Sequence, residues 1–397
     1  MGGAAATGAI VGATGGAAVA ANLATTAAQT AAQVASQTAV RMRSEPFFGP
    51  HQNGIELDLQ SHTNFIALDL HAETNIRAFE RWMNLLTDDI SRLTAGVAAL
   101  ADPHPELALG PARLTVTVGF GPNFFTKLGL EKQRPESFQD LPAFKIDRLK
   151  EEFSGGDVLL HVSADDPLAL SHAVRSLIRD SVEFASVRWS QQGFSNAQGV
   201  VPTGVRQRNL MGQVDGTDNP EFASDDFNNL VWINDGPEWI QGGTTLVLRR
   251  IAMQLNTWDL LGRDAKEQVI GRNLENGAPL GGNAETDPID FEARDARGLK
   301  VIPDFAHIRR ASAANIGERI FRRPFNYEGT PAADGTPDVG LLWTSYQRSI
   351  EKQFLPIQRR LDQFDLLNKW TVPIGSAVFA IGGGLREGET FASRLLG

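Results

Sequence analysis

An aspartate in a glycine-rich loop, within GQVDGTDNP at residues 212–220, is the first group in this chain that could do chemistry. Asp215 lies between Gly212 and Gly216, so the backbone around its carboxylate can adopt conformations that other residues avoid. Taken alone, an Asp-Gly pair predicts a tight turn whose carboxylate bonds its own backbone. One carboxylate is not a catalyst, so its meaning depends on partners elsewhere in the chain.

His307, in the segment PDFAHIRR, is the second candidate. A lone histidine is usually a satisfied, partly buried side chain. In a chain without cysteine, however, such a histidine is the residue that would serve as a strong axial ligand for a metal. Arg309 and Arg310 follow directly, and their guanidinium groups would suit anionic carboxylates on a bound partner.

Two further arginines, Arg322 and Arg323, precede Pro324 in RIFRRPFNYEG. They form a surface basic pair, or satisfy acidic neighbours, in the simplest interpretation. The functional alternative is a guanidinium directed into a pocket lined by aromatic residues such as Phe325 and Tyr327.

Composition excludes several classes of function. The chain has 397 residues, enough for two domains, and a net charge of −10 that argues against a nucleic-acid groove. It contains no stretch of 18 strongly apolar residues, so no membrane span is expected. The absence of cysteine excludes disulfides, thiolate metal sites, iron–sulfur clusters and covalent c-type haem attachment. The seven histidines form no HExxH cluster, so a multi-histidine zinc site is not expected.

Residues 1–40 form a separate block of mostly Ala, Gly, Thr and Gln. Its apolar part is similar to the hydrophobic region of a signal peptide, but the charged start is missing. Two interpretations stay open for residues 1–54: a disordered or loosely helical tail, or the remnant of an export signal whose basic start lies outside this chain.

Hydrophobic periodicity predicts the elements that must position the candidate groups. In residues 55–225, the pattern predicts four strands at 64–72, 112–121, 157–165 and 182–194, and two amphipathic helices at 74–96, capped by Thr74, and 166–182. The order β-α-β-β-α-β is the ferredoxin-like arrangement, and this domain carries the Asp215 loop.

Residues 226–397 repeat this alternation of strands and helices. The pattern predicts strands at 242–253, 339–347 and 376–384, helices at 256–272 and 349–370, and a polar loop at 277–298 that covers a site or the domain junction. The expected fold is therefore α+β, with two ferredoxin-like domains and a boundary near residues 220–240.

In this order the motifs resemble those of the dye-decolorising peroxidases, haem b enzymes of the dimeric α+β barrel-like superfamily. The resemblance spans most of residues 55–395. It is carried by G-x-x-D-G-T at 212–217, H-I-R-R at 307–310, R-R-x-x-N-Y at 322–327, GLLWTSYQRSIEKQF at 340–354, LTVTVGFGPNFF at 114–125 and WIQGGTTLVLRRI at 239–251. The variant resembles the exported, Tat-secreted A-type subgroup, which implies a periplasmic or extracellular location, with a cytoplasmic one as the alternative.

The resemblance implies non-covalent haem b with His307 as the axial ligand of the iron, and Asp338 is the candidate acceptor for the second ring nitrogen. Asp338 is almost as well explained as a Pro-Asp turn residue. Asp215 would relay a proton between the oxygens of hydrogen peroxide, favouring activity in acid, and Arg322 or its neighbour Arg323 would stabilise charge as the O–O bond breaks. Further cofactor contacts are expected at Gly216, Thr217, Asp218 and Arg309.

The partners implied are hydrogen peroxide and an organic electron donor such as a dye or phenolic compound, and a homo-oligomer stays open. Bulky dyes would require electron transfer through surface aromatic residues, for which the candidates are Trp232, Trp239, Trp258, Trp343, Trp370, Tyr327 and Tyr346. Two alternatives remain: a deferrochelatase that removes iron from haem, and a non-enzymatic haem carrier or sensor. The pairing of Asp215 with Arg322 argues against the carrier, because binding alone needs no acid–base pair.

Overall fold

The sheet at the centre of the fold is wholly antiparallel. The computed structural model describes residues 43–108, 110–201 and 205–397. Within these ranges the strands are β1 (His62–Leu70), β2 (Thr115–Phe120), β3 (Val158–Ala164), β4 (Ala185–Phe194), β5 (Thr244–Met253), β6 (Phe321–Arg322), β7 (Phe325–Glu328), β8 (Val339–Gln347) and β9 (Thr371–Ile381).

Helices lie between and after these strands. In chain order they are α1 (Ile76–Thr94), α2 (Pro122–Lys127), α3 (Pro167–Ser181), α4 (Asp225–Val231), α5 (Leu255–Trp258), α6 (Arg263–Ile270), α7 (His307–Ala311), α8 (Leu355–Phe364) and α9 (Phe391–Leu396). No helix in the described ranges is both long enough and apolar enough to cross a membrane.

The strand order repeats in the two halves of the chain. The first half is ordered β4-β1-β3-β2, and the second is ordered β9-β5-β8-β7, with the short β6 added along β8. Both halves therefore have the ferredoxin-like order, which confirms the predicted α+β class. The boundary near residue 225 stays a prediction.

The two half-sheets join at both edges. Phe120 of β2 pairs with Ala380 of β9, and Phe194 of β4 pairs with Asn326 of β7. Because β5 also pairs with β8, eight strands form a closed ring. Closure removes exposed edges from all of these strands, and leaves β6 as the edge beside the candidate site.

Alternating side chains of β1 pack in two separate cores. On β1, Phe65 and Ala67 belong to a cluster shared with β5 and β9, whereas Ile66 and Leu68 pack in the cluster that includes α1 and α3. Successive strand residues point to opposite faces, so both faces of β1 are covered. This explains why residues 65–68 form an unbroken apolar run.

The first helix is close to its prediction but begins with a different cap. Asn75, rather than Thr74, is the N-cap, and its side chain accepts from the amide of Ala78. The hydroxyl of Thr74 instead donates to the carbonyl of Phe184, 2.6 Å away. Either residue type can cap a helix, so only the backbone path decides between them.

Two predicted long helices are interrupted. The segment 256–272 divides at Gly262 into α5 and α6. The segment 349–370 begins as a π-turn, continues as α8 and ends at Asp365, after which a 3₁₀ turn covers Leu366–Lys369. The helix end at Asp365 has a consequence for His307, described below.

The N-terminal tail is described only from residue 43, so the predicted signal remnant at 1–40 lies outside the described residues. Residues just before position 55, expected to belong to the tail, contact the sheet instead. The buried amide of Gln52 donates to Val118 O and Gly382 O, at 3.1 and 3.2 Å. His51 forms a β-bridge with Gly383.

Candidate active site

His307 is held at the start of α7 by the apolar residues around it. Ala306 precedes it as N-cap, and Ile308 packs with Ile302 and Ile270 in a hydrophobic cluster separate from the two cores that share β1. These contacts fix the backbone, while the His307 side chain keeps 31 % of its surface exposed. A rigid backbone that presents a partly exposed imidazole suits a ligand to a bound group.

Asp365 orients the imidazole. Its Oδ2 lies 2.6 Å from Nδ1 of His307, and the carboxylate is 2 % exposed. Burial alone would lower the pKa of His307, but the charge and hydrogen bond of Asp365 raise it above its ordinary value. A carboxylate only accepts, so Nδ1 carries the proton and Nε2 is left with a lone pair for a metal.

Asp338 does not take this role, which corrects the sequence prediction. Both of its oxygens accept from Nη2 of Arg250, at 3.0 and 2.8 Å. The Arg250 guanidinium in turn lies 3.8 Å from the centre of the Tyr327 ring. Asp338 directly precedes β8 in the chain, which was the basis of the prediction. Asp365 reaches His307 because α8 ends at that residue.

Asp215 is presented by a short loop closed at its base. Arg208 and Val214 form a β-bridge, and the Asp215 amide donates to Gln207 O at 3.0 Å. Gly216 has φ = 87°, a left-handed conformation that favours glycine. The Asp215 side chain is 10 % exposed, and its Oδ1 lies 3.9 Å from Nη1 of Arg322.

The two neighbouring arginines point to different surroundings, and this distinguishes them. Arg322, on β6, is 23 % exposed and approaches Asp215. Arg323 is 2 % exposed, and its guanidinium donates to Leu57 O and to Gln60 Oε1. Burial lowers the pKa of Arg323 to about 10. Successive strand residues face opposite sides, so only Arg322 belongs beside Asp215.

Arg309 is engaged by backbone. Its guanidinium donates to the carbonyls of Phe291, Ile302 and Pro303, and therefore ties the polar loop before α7 to the helix. Arg310 differs, because its Nε is buried with no hydrogen-bond partner among the described residues.

The other predicted contacts are divided. Thr217 has a buried Oγ1 without a described partner. Asp218 is 69 % exposed, and the nearest cation is Arg319, at 3.8 Å. Gly216 is buried within the loop. Of these three, Asp218 faces solvent more than the site.

The three principal groups converge. The Arg322 charge lowers the pKa of His307 and the Asp215 charge raises it. The Asp215 loop, β6 and α7 therefore lie near one another. The arrangement combines a free imidazole nitrogen, a carboxylate and a guanidinium. It can ligate a metal, move a proton and stabilise a developing anion.

Sequence comparison identifies the family. The model of the N-terminal domain of Dyp-type peroxidases matches residues 52–195, and that of the C-terminal domain matches residues 206–386. The chain belongs to the Dyp-type peroxidase family. It is therefore an oxidoreductase that reduces hydrogen peroxide with electrons from a donor, and its family is haem-dependent.

Individual relatives agree with this assignment. A dye-decolorizing peroxidase of Thermobifida fusca (strain YX) is 40 % identical over 304 residues, covering 75 % of this chain and 70 % of the relative. A deferrochelatase of Shigella flexneri serotype 5b (strain 8401) is 32 % identical over 375 residues, covering 90 % and 88 %. The crystal structure of a DyP-type peroxidase from Cellulomonas bogoriensis has a TM-score of 0.87 and 48 % identity, covering 90 % and 99 %.

The residues of this peroxidase fit a haem by their unsatisfied groups. His307 offers a free ring nitrogen, and buried polar atoms without described partners occur in the Asp215 loop, at Gln213 and Thr217, and on α7, at Arg310. Buried polar atoms in native proteins nearly always have partners, so these are suited to a bound polar group.

Three residues near this site were missed from the sequence. Asp365 lies inside the helix predicted at 349–370, and Asn219 lies in the GQVDGTDNP segment without a role predicted for it. The pKa of Arg272 is lowered mainly by burial; the nearby Glu285 raises it and Arg322 lowers it further. The Asn-Pro pair at 219–220 was the only local signal, since it marks a turn with a specific conformation.

Proposed function

We propose that this peroxidase binds haem b non-covalently through His307 and uses Asp215 and Arg322 to act on hydrogen peroxide. One observation carries the proposal. His307 is locked to Asp365 through Nδ1 and remains partly exposed, while Asp215 and Arg322 lie near enough to influence its charge. The absence of cysteine supports non-covalent attachment.

The first task of the chain is to hold the imidazole. Asp365 keeps the Nδ1 proton of His307 and fixes the ring orientation, so that Nε2 stays available without rearrangement. The negative charge of Asp365 also makes the imidazole a stronger donor to a metal. When bound, the haem iron supplies electrons for cleavage of the peroxide O–O bond.

The second task is to move a proton and to stabilise charge. Asp215 takes the proton from one peroxide oxygen and delivers it to the other, which leaves as water. Arg322 stabilises negative charge on the departing oxygen, since a guanidinium stays charged at every working pH. The 3.9 Å between Nη1 of Arg322 and Oδ1 of Asp215 is longer than a hydrogen bond, so Asp215 is not immobilised by the arginine.

A third task is to bind the carboxylates of haem. Arg310 suits this better than the expected Arg309, because Arg309 already donates to three carbonyls and Arg310 has a buried Nε without a described partner. A guanidinium can bind a carboxylate with two parallel hydrogen bonds.

The absorption spectrum of the purified protein, before and after one equivalent of hydrogen peroxide, tests the proposal. A Soret band of ligated haem that changes on addition of peroxide and returns with a phenolic donor is expected. A spectrum without haem, or one that peroxide leaves unchanged, would contradict it.

A second candidate function is removal of iron from haem, favoured by the relatives that carry the name deferrochelatase. It needs no peroxide. Anaerobic incubation with haem, followed by porphyrin fluorescence, distinguishes the two functions. Porphyrin that appears without peroxide favours the second. A haem carrier is disfavoured, because carrying haem requires no Asp215–Arg322 pair.

Dyes and phenolic compounds are the proposed donors, and partial exposure selects two tryptophans for contact with bulky dyes. Among the aromatic candidates, Trp343 and Trp370 are partly exposed. The five others are buried: Trp232, Trp239, Trp258, Tyr327 and Tyr346. Trp343→Phe and Trp370→Phe should slow oxidation of bulky dyes more than that of small phenols. Equal slowing of both donors would contradict this role.

Export through the Tat system is proposed from the composition of residues 1–40 and the resemblance to the A-type subgroup. Expression of the gene in its native host, followed by cell fractionation, tests this. Protein that stays in the cytoplasm at full length contradicts it.

A homo-oligomer is proposed as well, and light scattering of the purified protein measures its oligomeric state directly.

A further inference from the structure

The side chain of Asn219 forms hydrogen bonds with both the amide and the carbonyl of Arg322. The side-chain Oδ1 of Asn219 accepts from the Arg322 amide at 3.0 Å, and its Nδ2 donates to the Arg322 carbonyl at 2.8 Å. Asn219 belongs to the Asp215 loop, and its own amide donates to Gly216 O at 3.0 Å. The two functional segments are therefore joined by one side chain.

These two hydrogen bonds occupy the side of β6 that faces away from β8, where no other strand pairs with it in the described residues. β6 contains only Phe321 and Arg322 and pairs with β8, while the next amide, that of Arg323, turns inward to Thr344 O at 3.0 Å. The outward amide and carbonyl of Arg322 would otherwise lack partners. A carboxamide offers one acceptor and one donor in a plane, as a peptide group of a neighbouring strand would.

Gly216 leaves the space that this amide needs. A Cβ at position 216 would lie 3.3 Å from Nδ2 of Asn219, closer than ordinary contact. A larger residue there would press on the amide that binds Arg322. The glycine after Asp215 therefore serves the left-handed turn and also the position of Asn219.

We infer that Asn219 is a positioning residue that sets the separation between the Arg322 guanidinium and the Asp215 carboxylate. Asp215 and Asn219 stand on one loop, and the Asn219 side chain binds the backbone of Arg322. The loop that carries the Asp215 carboxylate is therefore fixed relative to the strand that carries the Arg322 guanidinium. The inference rests on the proposed function, because it assigns Asn219 a part in peroxide cleavage through Arg322.

Replacement of Asn219 tests the inference. Asn219→Ala removes both hydrogen bonds, and Asn219→Asp keeps the acceptor for the Arg322 amide but puts a second acceptor against its carbonyl. Misplacement of a catalytic group by about 1 Å can cost roughly 10²-fold. We expect both variants to retain the Soret band and to react with peroxide roughly 10- to 100-fold more slowly in stopped-flow mixing.

Gln52→Ala is the matched control. Gln52 bonds both backbone groups of one residue in the same way, because its Oε1 accepts from the Val118 amide at 2.8 Å and its Nε2 donates to the Val118 carbonyl at 3.1 Å. Val118 lies on β2, and neither residue belongs to the Asp215 loop, β6 or α7. The variant should lose comparable thermal stability while keeping the wild-type rate with peroxide. An equal rate loss in Gln52→Ala would overturn the inference, since the effect would then be general loosening.

A double variant separates positioning from general damage. If Asn219 acts through Arg322, then Asn219→Ala should add no further rate loss, to within about twofold, in the Arg322→Leu background. Additive losses would overturn the inference. A crystal structure of haem-free Asn219→Ala supplies a readout independent of activity. The Arg322 Nη1 to Asp215 Oδ1 distance should change from 3.9 Å, and an unchanged distance would also overturn it.

Failure of the proposed function has a different result. If Arg322→Leu alone reacts with peroxide at the wild-type rate, Arg322 has no part in peroxide cleavage and the proposed function fails. In that case the haem-free structure still reports whether Asn219 sets the distance between the two side chains.

Discussion

Each half of the molecule contains a histidine bonded to an aspartate, and the two pairs differ in what surrounds the ring. In the first half, His172 Nε2 lies 2.7 Å from Asp102 Oδ2, with side chains 4 % and 0 % exposed. In the second half, His307 Nδ1 lies 2.6 Å from Asp365 Oδ2, with side chains 31 % and 2 % exposed. The contacts are nearly equal in length. Exposure of the imidazole therefore separates the candidate site from a structural contact.

Arginine–aspartate pairs show the same contrast. In the first half, Arg113 is 1 % exposed and donates to Asp165, Glu45 and the Asp58 carbonyl at 3.1, 2.8 and 3.1 Å. At the candidate site, Arg322 of the second half stands 3.9 Å from Asp215 of the first half without a hydrogen bond. The Arg113 guanidinium is fully engaged by structural partners, whereas Arg322 and Asp215 keep capacity for a ligand.

The largest expected effect comes from removing the exposed member of the histidine comparison. His307→Ala should lose most of the bound haem and the Soret band, because His307 is the proposed axial ligand of the iron. His172→Ala is the control. It should keep the Soret band and lose stability of about 1–3 kcal/mol, through an unsatisfied buried aspartate. Iron content and absorption decide, and normal values in His307→Ala would refute the ligand assignment.

The arginine comparison predicts the next largest effects. Arg322→Leu should slow the reaction with peroxide by roughly 10²–10³-fold, the value of one preorganised donor. Asp215→Ala should cost roughly 10²–10⁴-fold if it is the only proton relay. We expect the greater loss in Arg322→Leu, because water can replace a missing carboxylate as relay in a wet pocket.

Stopped-flow mixing with peroxide, followed at the Soret band, measures both losses. Asp165→Asn, on the buried pair of the first half, is the control and should lower stability without changing this rate. A greater loss in Asp215→Ala would reverse the ranking, and wild-type rates in both site variants would remove both residues from the mechanism.

A smaller effect is expected from the aspartate behind His307. Asp365→Asn keeps the shape but removes the charge, so the imidazole becomes a weaker donor. Such changes typically cost roughly 10–100-fold in metal affinity or activity. The reduction potential of the bound haem should rise in potentiometric titration. Asp102→Asn should leave that potential unchanged, and an equal shift in both variants would remove the distinction between the two pairs.

The smallest expected effect is a pH dependence of stability that arises from two neighbouring aspartates of the first half, Asp180 and Asp89. Burial and the neighbouring Asp89 raise the pKa of Asp180 to about 7, with Arg179 acting in the opposite direction, and the pKa of Asp89 is raised too, mainly by burial. The folded state favours the protonated pair. Its stabilising contribution is therefore complete below about pH 4 and is lost as pH rises through about 7.

Thermal melting as a function of pH checks this. The melting temperature of the wild type should fall by a few degrees between pH 5 and pH 8, and Asp180→Asn should reduce that fall. Asp180→Asn should also leave the Soret band unchanged, because Asp180 lies on α3 among structural charges. An unchanged slope in the variant would show that other groups control the pH dependence.

Sequence periodicity predicted most of the framework. The strand at 339–347 matches β8 at both ends, and apolar runs predicted seven of the nine strands in the described residues. The short strands β6 and β7 were not predicted, because two and four residues are too few to show a periodic pattern. Short motifs also pointed to His307, Asp215 and Arg322, because each of these residues stands in a segment with a recognisable pattern. Their roles at the site stay predictions.

Tertiary structure decided which partners the site residues have. Asp338 and Asp365 are both aspartates at the end of an element, and only the termination of α8 places Asp365 against His307. Arg322 and Arg323 are adjacent and chemically identical, and only the strand β6 shows which one faces Asp215. Contacts between residues far apart in the chain depend on the path of the backbone, and no local pattern specifies that path.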